Sequence, residues 1–247
     1  MLPFILTSLA GFSTLIGSVL IFIKTNPKKI INFSLSFSAG IMLTVSFIDL
    51  IPASINYLIK TDISKNTLFI KLFICLIIGI IFIHLLNKIL DKKHKNKELY
   101  STGIFACITM ILHNIPEGMI TYITASENKA LGVAITLAIA LHNIPEGMSI
   151  SVPIYYSSYS KIKAIMYTLV AALSEPFGAL LTFLFLKPFI TNQTTGLLLA
   201  VIAGIMIYIS FFKLLRQALK YKNIKRTILS FIIGIIFMYT TIIMFNL

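Results

Sequence analysis

The sequence predicts an all-α integral membrane protein of eight transmembrane helices, and three observations carry that prediction. Of 247 residues, 57% are hydrophobic and only 12% charged, with a mean hydropathy of +0.95; an ordinary globular chain is about 45–50% apolar. The apolar residues gather into eight runs, about 3–23, 31–58, 68–90, 101–125, 130–152, 162–186, 195–215 and 227–246, each near the roughly 20 residues that cross a bilayer as a helix. No run shows the dyad alternation of a barrel strand, which leaves the helix as the structure that satisfies its backbone in lipid. The runs together form one transmembrane domain over residues 1–247.

The first run has no basic stretch before it and is long, so it is expected to remain as a first span rather than be cleaved. The second and fifth exceed the length needed, which predicts tilt or extension beyond the bilayer. Cys75 and Cys107 lie in the third and fourth runs without paired spacing and are expected to be membrane-buried thiols. His84, near the end of the third run, fits an interhelical hydrogen-bond partner, and His94, among lysines, a solvated side chain. The methionines are expected to fill packing gaps. Asp62, Asp91, Glu98 and Glu127 lie in or beside loops.

The basic residues orient the chain. The connections after the first, third, fifth and seventh runs, with their flanks, hold sixteen of the 21 Lys and Arg; the other side has Lys60, Lys65, Lys71, Lys129 and Lys187. Positive charge stays in the cytoplasm, so both termini are expected outside it. The net charge of +13 is then a basic face meeting anionic lipid, and no nucleic-acid partner is expected. No Gly-x4-Gly-Lys-Ser/Thr pattern is present, so any energy would come from gradients and not from ATP.

Two internal repeats stand out. Leu112-His113-Asn114-Ile115-Pro116-Glu117-Gly118-Met119 recurs letter for letter as Leu141 to Met148, twenty-nine residues later. More weakly, Ala39-Gly40-Ile41-Met42…Ser46-Phe47…Leu50 in the second run matches Ala203-Gly204-Ile205-Met206…Ser210-Phe211…Leu214 in the seventh, seven identities in twelve. Ser13…Gly17 in the first run likewise resembles Ser174…Gly178 in the sixth. Runs two and seven cross in opposite directions, so helices 1–3 and 6–8 are expected to form inverted three-helix repeats flanking helices 4 and 5, an arrangement that places a site at the midplane.

Eight residues are acidic, and four of them, Asp49, Glu117, Glu146 and Glu175, fall inside predicted spans. A charged side chain at mid-bilayer costs about 2.5–3.5 kcal/mol on insertion scales, so such residues are functional candidates. His113 and Glu117, and His142 and Glu146, are one turn apart on one helix face. Glu117, Glu146 and Glu175 each adjoin a proline (Pro116, Pro145, Pro176), which frees the carbonyls of Leu112, Leu141 and Ala172 and predicts kinked or broken helices. Gly118, Gly147 and Gly178 allow close helix approach. A polar chamber between the fourth, fifth and sixth helices follows.

Two His, two Asn and three Glu (His113, Asn114, Glu117, His142, Asn143, Glu146, Glu175) suit a borderline divalent cation, Zn2+ or Fe2+ first, then Mn2+, Co2+ and Cd2+. The lack of thiolates argues against Cu(I). Metal entry is expected to release protons, since ligands bind deprotonated. Asp49, in the outer part of the second helix, is a candidate for the pathway mouth or for pairing at the interface. Ser149, on the His142 face, is a candidate for pathway lining or for polar helix packing.

Two His-Asn-x-Pro-Glu-Gly motifs on consecutive helices, Ser174-Glu175-Pro176-x-Gly178 on the next, and Phe47-Ile48-Asp49-Leu50-Ile51-Pro52 on the second resemble the ZIP family of zinc and iron permeases, in its bacterial form. The resemblance runs the full length and implies a multi-pass protein of the bacterial inner membrane with a binuclear metal centre. Carried over, His113, Glu117, His142 and Glu146 form one subsite. Asn114, Glu117, Asn143, Glu146 and Glu175 form a second, with Glu117 and Glu146 bridging. The Asp91–Tyr100 connection is short and has only His94, so the long His-rich loop of many members, and metal buffering by it, is not expected.

The function expected is inward carriage of a divalent transition metal, with the ion as substrate and no catalytic cofactor. An intramembrane metal-dependent hydrolase is the alternative, although the His-Glu-x-x-His order is absent; a proton-coupled carrier of organic solute is a second rival. Expected partners are metal ions and the bilayer. No feature fixes the oligomeric state, and a homodimer is admitted.

Overall fold

A computed structural model describes residues 1–61, 63–93 and 97–245; Asp62 and His94, read above as loop residues, lie outside them. Among the described residues, eight helices are long and apolar enough to cross a membrane: α1 (Leu2–Phe22), α2 (Pro27–Ile59), α3 (Lys65–Lys92), α4 (Glu98–Glu127), α5 (Lys129–Ser158), α6 (Lys161–Phe189), α7 (Asn192–Leu219) and α8 (Ile224–Phe245). Six of them contain a predicted run whole, while α1 stops one residue short of its run and the last residue of the eighth run lies outside the described residues; Asn128 and Ser160 accept from the Leu131 and Lys163 amides at the starts of α5 and α6. Among the described residues there is no strand.

Helix α2 is the most enclosed, with 78% of its central window buried, against 22% for α3 and 28% for α8. The outer position of α3 and α8 explains the exposed Phe69, Phe73, Ile74, Ile232 and Ile236, which in a bilayer meet acyl chains. Cys75 on α3 is half-buried; Cys107 on α4 is buried and its thiol reaches the Tyr167 carbonyl at 3.3 Å. Both are free.

Helix pairs meet at reciprocal glycines. A Cβ on Gly118 of α4 would strike the Glu175 carbonyl of α6, and one on Gly178 of α6 the Ile115 carbonyl of α4. The same exchange joins α1 and α5, Gly17 facing Ile144 and Gly147 facing Thr14. Two further pairs join α2 to α8, through Gly40 and Gly234, and α3 to α7, through Gly79 and Gly204. Without a hydrophobic drive between helices in lipid, such close packing is what associates them.

These contacts follow the inverted repeat. Exchanging α1 with α6, α2 with α7, α3 with α8 and α4 with α5 turns each glycine pair into another. One distortion matches as well: α2 widens to π-helix over Val45–Leu50 and α7 over Ser210–Leu215. In each, a serine bonds back four residues, Ser46 to the Met42 carbonyl and Ser210 to the Met206 carbonyl, both at 2.7 Å. Such back-bonding competes with the helix ladder and bends it.

Of the three prolines beside a glutamate, one coincides with a helix break. Helices α4 and α5 run without interruption through Pro116 and Pro145, and through Pro153, which had drawn no notice. Only α6 breaks, at Leu173, three residues before Pro176. The Ala172 carbonyl freed there lies against Gly11 of α1.

Candidate metal centre

The seven candidate ligands are all buried, from 0% exposure for His113, Asn114, Asn143, Glu146 and Glu175 to 6% for Glu117. Helix α4 supplies His113, Asn114 and Glu117, α5 supplies His142, Asn143 and Glu146, and α6 supplies Glu175 just past its break. The i, i+4 spacing does put each His and Glu of one helix on a common face, yet both pairings cross between helices. His113 Nε2 of α4 lies 3.1 Å from Glu146 Oε2 of α5, and His142 Nε2 of α5 lies 3.7 Å from Glu117 Oε2 of α4. The crossing is the repeat made visible: a two-fold relation between α4 and α5 carries one pair onto the other. The first pair is a hydrogen bond; the second is too long for one.

Asn143 Nδ2 donates to Glu175 and to the Ala10 carbonyl of α1 at 2.9 Å. Helix α1 therefore joins α4, α5 and α6 in walling the chamber. Among the described residues no three of His, Cys, Asp and Glu close into one ligand shell; the donors stand as pairs.

The chemistry of the set lies in what remains unpaired. His113 Nδ1, both Asn114 side-chain heteroatoms, Glu117 Oε2, both His142 ring nitrogens, Asn143 Oδ1, Glu146 Oε1 and Glu175 Oε2 are buried without a hydrogen-bond partner. Each such group costs about 1–3 kcal/mol, and native interiors leave few of them. Their concentration in seven residues suits a cation, which accepts lone pairs from carboxylate, amide oxygen and imidazole together.

One side of this set is open. A cavity of about 210 Å³ is lined by Asp49, Leu50, Ala53 and Tyr57 of α2, by Glu117, Ile120, Thr121 and Thr124 of α4, by Leu131, Ile135, Ala138, Ile139 and His142 of α5, and by Leu199 and Met238. It runs from Glu117 and His142 toward the end of the bundle where α2 and α4 finish. Asp49, in the π-helical turn of α2, is in its wall. The Ser149 hydroxyl donates to the Glu146 carbonyl at 2.7 Å, inside its own helix.

Sequence reasoning passed over two cavity residues and one cation. Thr121 is fully buried with an unpartnered hydroxyl one turn beyond Glu117, a spacing that could have drawn attention. Tyr57 lies two turns beyond Asp49. Lys213, counted above as a loop-flanking charge, is instead inside α7 and only 7% exposed. His84, by contrast, bonds across to the Tyr208 hydroxyl at 2.9 Å as a helix-joining side chain.

The eight-helix bundle with its buried ionisable centre defines a multi-pass membrane protein. The family model described as ZIP Zinc transporter matches residues 91–241, and the chain belongs to the ZIP family. It is 36% identical to the zinc transporter ZupT of Clostridium perfringens over 99% of this chain and 96% of that one. It is 36% identical to ZupT of Streptococcus mutans (98% and 97%) and 33% to ZupT of Campylobacter jejuni (95% and 93%). The family is one of transporters and not of enzymes, so the hydrolase alternative falls.

Proposed function

We propose that this protein carries divalent transition metal ions, zinc first, across the cell membrane toward the cytoplasm. The relatives named above are zinc transporters. The observation that carries the reading is the crossed His113–Glu146 and His142–Glu117 pairs, with unspent donor atoms, beside a cavity whose lining runs from them toward one end of the bundle. The excess of Lys and Arg at the opposite end makes that end cytoplasmic, so the cavity faces outward.

In this mechanism Asp49 draws a hydrated cation into the cavity, where Glu117 and His142 replace its first waters. His113 and Glu146 lie deeper and take over as the crossed pairs separate, Glu117 and Glu146 bridging two ions when both subsites fill. Asn114, Asn143 and Glu175 supply the second subsite. Moving even a singly charged, carboxylate-sized ion into low dielectric costs of order 20 kcal/mol in the ideal case, and the cost rises with the square of the charge. Three carboxylates therefore matter as charge and not only as geometry. Release requires that no one station bind too tightly, and a chain of split pairs meets that need.

Purified protein in liposomes is expected to show saturable zinc flux, tested beside Fe2+, Mn2+, Cd2+ and Co2+ with and without a pH gradient. The variant with both His113→Ala and Glu117→Ala is expected to show none. Undiminished flux in that variant would remove the site, and organic-solute transport without metal would remove the metal.

A further inference from the structure

The inverted repeat pairs Asp49 of α2 with Lys213 of α7, each inside its π-helical turn. A carboxylate on one half of the path is thus answered by an ammonium on the other. The rest of the cavity wall has counterparts too. Leu50, Glu117, His142, Ile139 and Leu199 line the cavity, and the repeat carries them onto Leu214, Glu146, His113, Met110 and Leu35, all at 0% exposure. One half of the path is open and its mirror half is packed shut, with Lys213 in the closed half.

Lys213 is held there by two neighbouring helices. Its Nζ donates to Asp91 Oδ1 at 2.5 Å and to Asn87 Oδ1 at 2.7 Å, both on α3, and lies 5.3 Å from the Phe105 ring centroid of α4. Asp91 Oδ1 also accepts from Ser101 Oγ of α4 at 2.8 Å, and Lys220, the residue just past α7, pairs with Glu98 of α4. At this end α4 is therefore bound by charge to α3 and α7, whereas at the other end it stands off from α2 across the cavity. A cation so buried is costly unless paired, and its oxygen partners are of the kind that would otherwise receive a metal leaving the centre.

We propose that Lys213 seals the cytoplasmic half of the transport path, its tethered ammonium docking α4 on α3 and α7 while the outer half is open. The proposal rests on the path and orientation given under the proposed function. Uncoupling the ammonium shifts the protein from the outward-open toward the inward-open state, because it removes contacts made in only one of them.

The test is side-specific labelling. Cysteine is introduced by Met110→Cys in the closed half or Ile139→Cys in the open half, with Cys75 and Cys107 changed to serine, and a membrane-impermeant maleimide is applied from either face of vesicles. Adding Lys213→Met is expected to speed labelling at 110 from the cytoplasmic face about tenfold and to slow labelling at 139 from the outer face. A tenfold shift corresponds to about 1.4 kcal/mol. Lys213→Arg, which keeps the charge, is expected to label as the parent does. Asp91→Asn, whose site is 45% exposed at the side chain and tolerates change, is expected to move both rates the same way as Lys213→Met and stands in should that variant not fold.

Unchanged rates at both positions in folded Lys213→Met or Asp91→Asn would overturn the proposal. So would equal acceleration from both faces, the mark of general loosening. The labelling needs no metal: absent zinc flux with the opposed shifts intact would fail the transport reading and leave the seal standing.

Discussion

Glu117→Gln is expected to lower zinc uptake at limiting external metal by about a hundredfold, through KM more than through maximal rate. The carboxylate faces the open cavity and pairs with His142, so it meets the entering ion early. Glutamine keeps the shape and one oxygen but withdraws a full charge. Removing one partner of a buried charge pair costs roughly 3–5 kcal/mol, and each 1.4 kcal/mol is about tenfold. Radiometal uptake across a range of external zinc concentrations separates the two parameters. A variant with an unchanged KM would mean that Glu117 is not among the first groups to hold the ion.

Glu146→Gln is expected to fail in the opposite way. Glu146 is fully buried and bonded to His113, on the side away from the cavity. External zinc still reaches Glu117 and His142, so apparent affinity should change by less than about tenfold. The ion then lacks its next carboxylate, and maximal uptake is expected to fall about a hundredfold on the same accounting. Equal kinetic defects in Glu117→Gln and Glu146→Gln would argue for one undivided site and against two stations used in turn.

Much of this was legible in the sequence because lipid imposes strict rules. Eight spans emerged from hydropathy alone, since a helix in a bilayer has nowhere to place a polar run. Four intramembrane carboxylates declared themselves by their cost, and the exact recurrence of His113 to Glu117 as His142 to Glu146 pointed at one chamber. The glycines at 118, 147 and 178 were read as points of close approach, and each does face a neighbouring carbonyl.

What sequence did not show depends on rotations and on conformational state. Whether His113 meets Glu117 of its own helix or Glu146 of the next is decided by how α4 and α5 turn about their axes, which periodicity leaves open. The π-helical turns of α2 and α7 have no compositional mark; Pro52 follows the first, but Arg216 stands in its place after the second. Lys213 looked like any basic residue near a helix end until α3 was seen to bring Asn87 and Asp91 against it. That one half of the path is open and the other closed belongs to the packing of the whole bundle, and no local pattern records it.

The central claim is that the crossed pairs on α4 and α5 are a way-station for a divalent cation. Anomalous diffraction from crystals soaked in zinc or cadmium tests it most directly. A peak among His113, Glu117, His142 and Glu146, with a second toward Asn114, Asn143 and Glu175 when both subsites fill, is the predicted result. Peaks confined to the surface, with the four side chains still paired to one another, would contradict it.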